Sequence, residues 1–188
     1  MKVFLTGSTG FVGSHVARAY AGENAELRLL TRKTSSLAAI EGLRAETVVG
    51  DLSQPELLRS AIRGCDALVH VAADYRLWVR DPQQMYKINV EGTRELLRLA
   101  REEGVAKVVY TSSVATMGFK ADGTIVNEET PVTLSDMIGH YKRSKFLGEL
   151  EAIRAAKAGQ HIVILNPTTP IGPGDAKPTP TGSLNSLR

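Results

Sequence analysis

Cysteine is almost missing from this chain. Cys65 stands alone among 188 residues, which excludes a disulfide framework and a thiolate metal cluster. Histidine is scarce as well. His15, His70, His140 and His161 lie far apart with no metal-ligand spacing, so each reads as a satisfied or exposed side chain and no metal is expected. No apolar run approaches the roughly 20 residues that a membrane-spanning helix needs. The opening MKVFLTG enters a strand at once and lacks the layout of a signal peptide. Neither sign of charge dominates: 23 Lys and Arg stand against 20 Asp and Glu, for a net charge of +3. These charges interleave along helical patterns, which reads as a solvated surface and not as a nucleic-acid footprint. A reduced, cytoplasmic, metal-free protein is the expectation. Its 43% hydrophobic and 23% charged residues are ordinary for a globular chain, and its length suits one well-buried domain.

What is present is an alternation of short apolar runs with longer amphipathic ones, the mark of repeated βαβ units. Strands are predicted at Lys2–Thr6, Glu26–Thr31, Ala45–Gly50, Asp66–Ala72, Lys107–Ser112 and His161–Asn166. Helices are predicted at Phe11–Gly22, Ser35–Gly42, Gln54–Arg63, Pro82–Glu103 and Ser135–Ala158. Asp81-Pro82 is a capping residue followed by a favoured first-turn proline, and Gly104 is a natural stop. Right-handed crossovers then imply an α/β fold: a Rossmann-like, doubly wound parallel sheet in the order 3-2-1-4-5-6. After Asn166 the composition changes. Five of the eight prolines fall in this last stretch, which has neither period. The expected division is a dinucleotide-binding domain at 1–166 and a Pro/Thr-rich stub at 167–188, read either as a disordered tail or as the entry to a second subdomain.

Gly7-Ser8-Thr9-Gly10-Phe11-Val12-Gly13 follows a strand and opens a helix. In that setting Gly7 permits the tight turn, Gly10 lets the backbone approach a pyrophosphate, and Gly13 allows close helix–strand packing. The helix N-terminus then receives the phosphates. NAD-binding domains place an acid at the end of the second strand, whereas here Arg32 and Lys33 stand there, which suits the 2′-phosphate of NADP. NAD remains the alternative. Asp51 and Leu52 are expected at the adenine edge. Val71, Ala72 and Ala73 offer small residues where backbone passes close to the cofactor.

Tyr141 and Lys145 are four apart on one predicted helix face. An ammonium beside a phenol stabilises the phenolate, by on the order of 3–4 kcal/mol at ~4–5 Å. Such a tyrosine can exchange protons with a carbonyl or alcohol. Ser113, just past the fifth strand, is expected at the carboxyl edge of the sheet, where ligands of open α/β sheets bind.

These pieces together resemble the extended short-chain dehydrogenase/reductase family, of the NAD-dependent epimerase/dehydratase type, over residues 1–180. They are TGSTGFVG, DL at 51–52, HVAA at 70–73, NVEGT at 89–93, YTSS at 110–113, YKRSK at 141–145 and NPTTPIGPGD at 166–175. The resemblance implies Tyr141 as general acid/base and Lys145 as the residue that orients the ribose and tunes that tyrosine. It further implies that Ser113 bonds the reacting oxygen, with Ser112 as the alternative, and that Asn89 supports the site. Asn166, Pro167 and Thr168 would lie beside the nicotinamide. Within the family, HVAADYRLWVRDP and MIGHYKRSKFLGE look most like a bacterial dihydroflavonol-4-reductase-like group that includes hopanoid-associated sugar epimerases. Tyr75 and Trp78 are candidates for substrate contact or for plain packing.

Family members run much longer, so the chain is expected to be truncated before the substrate domain. The resemblance implies an NADP(H)-dependent oxidoreductase acting on a small carbonyl, alcohol or sugar. Alternatives are a nucleotide-sugar epimerase and a non-catalytic NADP-binding module. A 4,6-dehydratase fits less well, because Val114-Ala115 stand where those enzymes carry an Asp-Glu pair. Family dimers pair the fourth and fifth long helices, so a homodimer through Pro82–Glu103 and Ser135–Ala158 is expected.

Overall fold

The computed structural model describes residues 1–175 apart from Leu77 and Ala121. Its strands are β1 (Lys2–Thr6), β2 (Glu26–Thr31), β3 (Ala45–Val49), β4 (Ala67–His70), β5 (Lys107–Thr111) and β6 (Ile162–Leu165). All pair in parallel in one sheet, in the order β3-β2-β1-β4-β5-β6. The expected fold class and strand order are both present. Val3, Phe4 and Leu5 of β1 and Leu68 and Val69 of β4 are buried, as central parallel strands covered on both faces must be.

The helices are α1 (Phe11–Gly22), α2 (Pro55–Ile62), α3 (Gln83–Tyr86), α4 (Thr93–Glu102) and α5 (His140–Lys157). On one face of the sheet, Leu58 and Ile62 of α2, Leu96, Leu97, Leu99 and Ala100 of α4, and Ala152 of α5 pack on Phe4, Leu68, Val108 and Tyr110. On the other, Ala17 of α1 and Ile40 pack on Val3, Leu5, Leu27, Leu29 and Val69. Leu96, Leu97 and Ala100, on a helix through which a homodimer is expected, therefore serve this chain's own core. Arg94, Arg98, Arg101 and Glu102 are what α4 leaves exposed.

Three helices depart from expectation, each for a visible reason. The predicted helix at Ser35–Gly42 is only a 3-10 turn at Ala38–Ile40. Arg18 of α1 donates to the carbonyls of Ala39 and Glu41 at 3.0 and 3.3 Å, and Ser36 Oγ accepts Ala38 N–H. These contacts replace helical bonding. The predicted start at Ser135 moves to His140: Thr133 and Asp136 close a separate capped turn, and Gly139 at φ 83° breaks the path.

The segment Pro82–Glu103 changes its winding. Between α3 and α4, residues Lys87–Gly92 form a π-helical segment. The Thr93 hydroxyl donates to the Asn89 carbonyl at 2.9 Å, while Thr93 N–H turns to the Val90 carbonyl. A side chain inserted into the helical ladder widens the turn there. Such segments recur at functional sites, and this one carries Asn89. Asp81 accepts Gln83 N–H at 2.9 Å at the start of α3, and Gly104 at φ 74° closes α4. Among the described residues no helix is long and apolar enough to cross a membrane.

Candidate active site

The carboxyl ends of the strands bring the predicted residues to one edge of the sheet. Gly7, between β1 and α1, has φ 79°, and a Cβ there would stand 2.6 Å from Ala72 N. Only glycine accepts both conditions. A Cβ on Gly13 would fall 2.1 Å from the Gly7 carbonyl oxygen, so the first turn of α1 lies directly on the loop. At Gly10 the neighbour is that same oxygen at 3.3 Å, and its remaining side is open. Thr9, Phe11 and Val12 are half-buried.

No side chain caps α1, and its first turn holds no acid. Its leading N–H groups and positive dipole end therefore face outward uncompensated. Ser8 Oγ is buried with no hydrogen-bond partner among the described residues. Half-buried Val71, Ala72 and Ala73 line the loop, where Thr6 Oγ1 accepts Ala72 N–H at 3.2 Å. A side-chain-free cradle, open donors and an orphan hydroxyl fit a pyrophosphate.

Arg32 and Lys33 follow the end of β2 and are exposed. Hydrogen bonds from the Ser53 hydroxyl and N–H, at 2.5 and 2.8 Å, hold the Asp51 carboxyl below its usual range, and the charges of Arg32 and Lys87 add to this. Leu52 is buried in the main core against Gly92, so its side chain serves packing.

At the other end of the edge, Tyr141 is half-buried on α5 and Lys145, one turn on, is buried. Lys145 Nζ donates to the Thr111 carbonyl at 2.9 Å and lies 5.0 Å from the centre of the Tyr110 ring. Burial pushes its ammonium down to about 8, against the opposing pull of Glu149. Ser113 is half-buried. Its Oγ accepts Ala115 N–H at 3.2 Å, which leaves its own proton uncommitted. Ser112 is buried, and its hydroxyl has no partner among the described residues. Of the two serines, Ser113 is the accessible one.

Asn89 is buried and bonded through every polar atom of its side chain. Its Oδ1 accepts Asp74 N–H at 2.7 Å, and its Nδ2 donates to the Asp74 carbonyl at 2.8 Å and to Ser144 Oγ at 2.9 Å. Ser144 in turn donates to the Tyr141 carbonyl at 2.9 Å. Asn89 thus ties the loop after β4 to the helix that carries Tyr141. Arg76 pairs with Asp74 at 2.5 Å, while Tyr75 and Trp78 beyond it are exposed.

Sequence reasoning missed the chain of polar groups behind this one. Thr6 Oγ1 lies 2.7 Å from His70 Nδ1, and His70 Nε2 lies 3.0 Å from Thr93 Oγ1. Thr93 gives its proton to the Asn89 carbonyl, so it accepts from His70, and the imidazole carries its hydrogen on Nε2. Burial, aided by the Lys145 charge, pushes His70 down to about 3. It is a neutral pin between the glycine loop and the π segment. The only prior signal was HVAA, read for its small residues.

The chain beyond β6 folds back over the site. Asn166 turns its carboxamide inward to the Ser113 carbonyl at 3.2 Å, Thr116 Oγ1 at 3.0 Å and Glu149 Oε2 at 2.8 Å. The Pro167 carbonyl accepts Val114 N–H at 3.0 Å, and Thr168 is exposed. Further on, the Pro173 carbonyl meets His15 Nε2 of α1 at 2.9 Å. The stretch from 176 onward lies outside the described residues.

A sequence profile described as the NAD dependent epimerase/dehydratase family matches residues 3–188. The chain belongs to this family. A Synechocystis sp. protein provisionally named dihydroflavonol 4-reductase is 45% identical over 96% of this chain and 52% of its own length. The solved structure of gox2253 is 51% identical with a TM-score of 0.91, over 97% of this chain and 56% of that one. A short-chain dehydrogenase/reductase superfamily protein of Agrobacterium tumefaciens, solved with bound NAD, is 30% identical with a TM-score of 0.76, over 88% of this chain and 48% of that one. The chain spans about half the length of the relatives it matches. Its membership covers both ends of the site edge, from the glycine loop to Asn166.

Proposed function

We propose that this chain is the dinucleotide-binding part of an NADP(H)-dependent oxidoreductase that moves hydride to or from a carbonyl or alcohol substrate. The buried Lys145 ammonium, one turn from Tyr141 and bonded to the Thr111 carbonyl beside the serines, carries the reading. A buried cation held at a carboxyl sheet edge is costly unless it is used.

The dinucleotide, when bound, supplies the carbon that donates or accepts hydride. Every other part falls to the protein. The glycine loop and α1 hold the pyrophosphate through backbone N–H groups. Arg32 and Lys33 take the 2′-phosphate. Lys145 orients ribose hydroxyls, and the phenolic oxygen of Tyr141 one turn before it exchanges a proton with the substrate oxygen. The free proton of Ser113 donates to that same oxygen. Asn89 and Ser144 hold the backbone of Tyr141 in register. Residues 1–166 form this unit, and residues from 167 lead toward the part that binds substrate. The expected cytoplasmic homodimer would draw on Leu150 and Ile153, half-buried on α5.

An NAD-linked nucleotide-sugar epimerase is the second reading, favoured by the NAD bound in the Agrobacterium structure. Calorimetric titration of the chain with NADPH and NADH separates the two. NADPH should bind tighter by roughly 1–3 kcal/mol, the scale of charge-assisted hydrogen bonds. Arg32→Asp should remove that margin and spare NADH. Equal affinities, or a preference for NADH, would overturn the NADP reading and favour the epimerase.

A further inference from the structure

Tyr141, Lys145 and Glu149 follow one another at four-residue spacing along one face of α5. The reaction proposed above uses the first two and leaves Glu149 unassigned. Its carboxylate accepts the Thr116 hydroxyl and the Asn166 carboxamide, each at 2.8 Å. The one Thr116 hydroxyl proton is shared between this carboxylate and the Ser113 carbonyl, also 2.8 Å from Thr116 Oγ1, and Asn166 Nδ2 lies 3.2 Å from the same carbonyl. The loop after β5, the end of β6 and α5 therefore meet at one carboxylate.

We propose that Glu149 is a positioning residue of the active site: it holds the Ser113 loop and Asn166 against the face of α5 that carries Tyr141 and Lys145, and its charge balances the Lys145 ammonium. The proposal rests on the reading of Ser113, Tyr141 and Lys145 as the reacting cluster. Two physical arguments support it. Hydrogen bonds to an ionised acceptor are roughly twice as strong as neutral ones, so a carboxylate pins two loop donors better than an amide would. A buried ammonium also needs a counter-charge. The groups around Lys145 are Tyr110 of β5, His70 of β4, and Tyr141 and Glu149 of its own helix. Burial pushes Tyr110 up and His70 down, so both are uncharged near neutral pH. Glu149 is the group whose charge opposes the desolvation of Lys145.

The 188-residue chain, labelled with 13C-lysine, allows the Lys145 Cε resonance to be followed against pH without any dinucleotide. Glu149→Gln keeps the size and removes the charge; it should lower the Lys145 midpoint by about one pH unit, the low end of what one nearby opposite charge contributes. Glu149→Asp keeps the charge on a shorter stem. It should hold the midpoint near its original value but speed hydrogen exchange at the Val114 and Thr116 amides, because the clamp no longer reaches. A folded Glu149→Gln with an unmoved midpoint overturns the proposal. Should Glu149→Gln fail to fold, Glu149→Asp decides: unchanged exchange at Val114 and Thr116 overturns it. NADPH titration of the unsubstituted chain keeps the two readings apart. A chain that binds neither NADPH nor NADH defeats the functional reading, whereas binding with an unmoved midpoint defeats the role of Glu149 alone.

Discussion

The glycine loop and the α5 edge build two halves of one site by opposite means. The loop works by leaving side chains out: at Gly7 and Gly13 a single methyl would strike backbone at 2.6 and 2.1 Å. The α5 edge works by packing polar side chains in. Lys145, Asn89, His70 and Ser144 are all buried there, and the hydrogen bonds of the last three, with Thr93, run from Thr6 on β1 to the Tyr141 carbonyl. The first half is a steric device, insensitive to pH. The second is electrostatic, and its buried titratable groups make it sensitive to pH and costly to stability.

The sharpest way to break the loop is Gly13→Ala. With no room between its Cβ and the Gly7 carbonyl, it should cost about 4 kcal/mol or more, since backbone must shift. Urea unfolding would show the loss, and the loss should be the same at pH 5 and pH 8.

The α5 half should instead fail in acid. His70 has a folded value of about 3, below its unfolded value of 6.5. The unfolded chain therefore binds a proton first, and stability is full above pH 6.5 and drains away as the pH falls toward 3. The loss is on the order of 5 kcal/mol. His70→Gln should flatten that part of a stability-versus-pH curve, and a curve with its slope intact would remove His70 from the account.

Gly148→Ala tests the one place where the α5 half borrows the loop's device. A Cβ there would lie 2.3 Å from the Asn89 carbonyl oxygen and 2.8 Å from Tyr110 Oη. Overpacking of this kind should cost about 3 kcal/mol, and the damage should appear in thermal melting and in lost amide protection at Asp74.

Lys145→Met gives the smallest effect and has the opposite sign. The ammonium falls from 10.5 to about 8 on folding, so the unfolded chain holds that proton more tightly and folding is disfavoured below pH 8. The deficit is relieved as the pH rises from 8 toward 10.5. Met removes it and forfeits the bond to the Thr111 carbonyl, for a net gain of roughly 2 kcal/mol at pH 7. Chemical denaturation at pH 7 and pH 10 would read the gain and its disappearance.

The contrast also explains which parts were legible beforehand. Strands β1 and β2 and helix α1 match their predicted bounds, because local apolar period and the glycine pattern decide them. The glycine loop was legible from its strand–turn–helix setting, although the backbone that crowds Gly7 belongs to distant Ala72. The helix starts at Ser35 and Ser135 did not survive, since Arg18 and the Thr133–Asp136 turn claim the backbone first. Tyr141 and Lys145 were visible as a spacing. The partners of Asn89 and Asn166 were not.

Periodicity, glycine placement and the right-handed crossover rule by themselves determined the strands, their order and the glycine loop, because local apolar pattern specifies the elements and the crossover rule leaves few ways to connect them. Only the tertiary structure decided that His70 is a neutral pin, that Asn89 sits in a π segment, and that Glu149 gathers Thr116 and Asn166. The His70 pin and the Glu149 cluster depend on hydrogen bonds between residues 17 to 64 positions apart, and the π segment joins a local bond from Thr93 to the ties of Asn89 with Asp74 and Ser144, 15 and 55 positions away. Their donors and acceptors meet only after the crossovers have folded, and no local pattern specifies them.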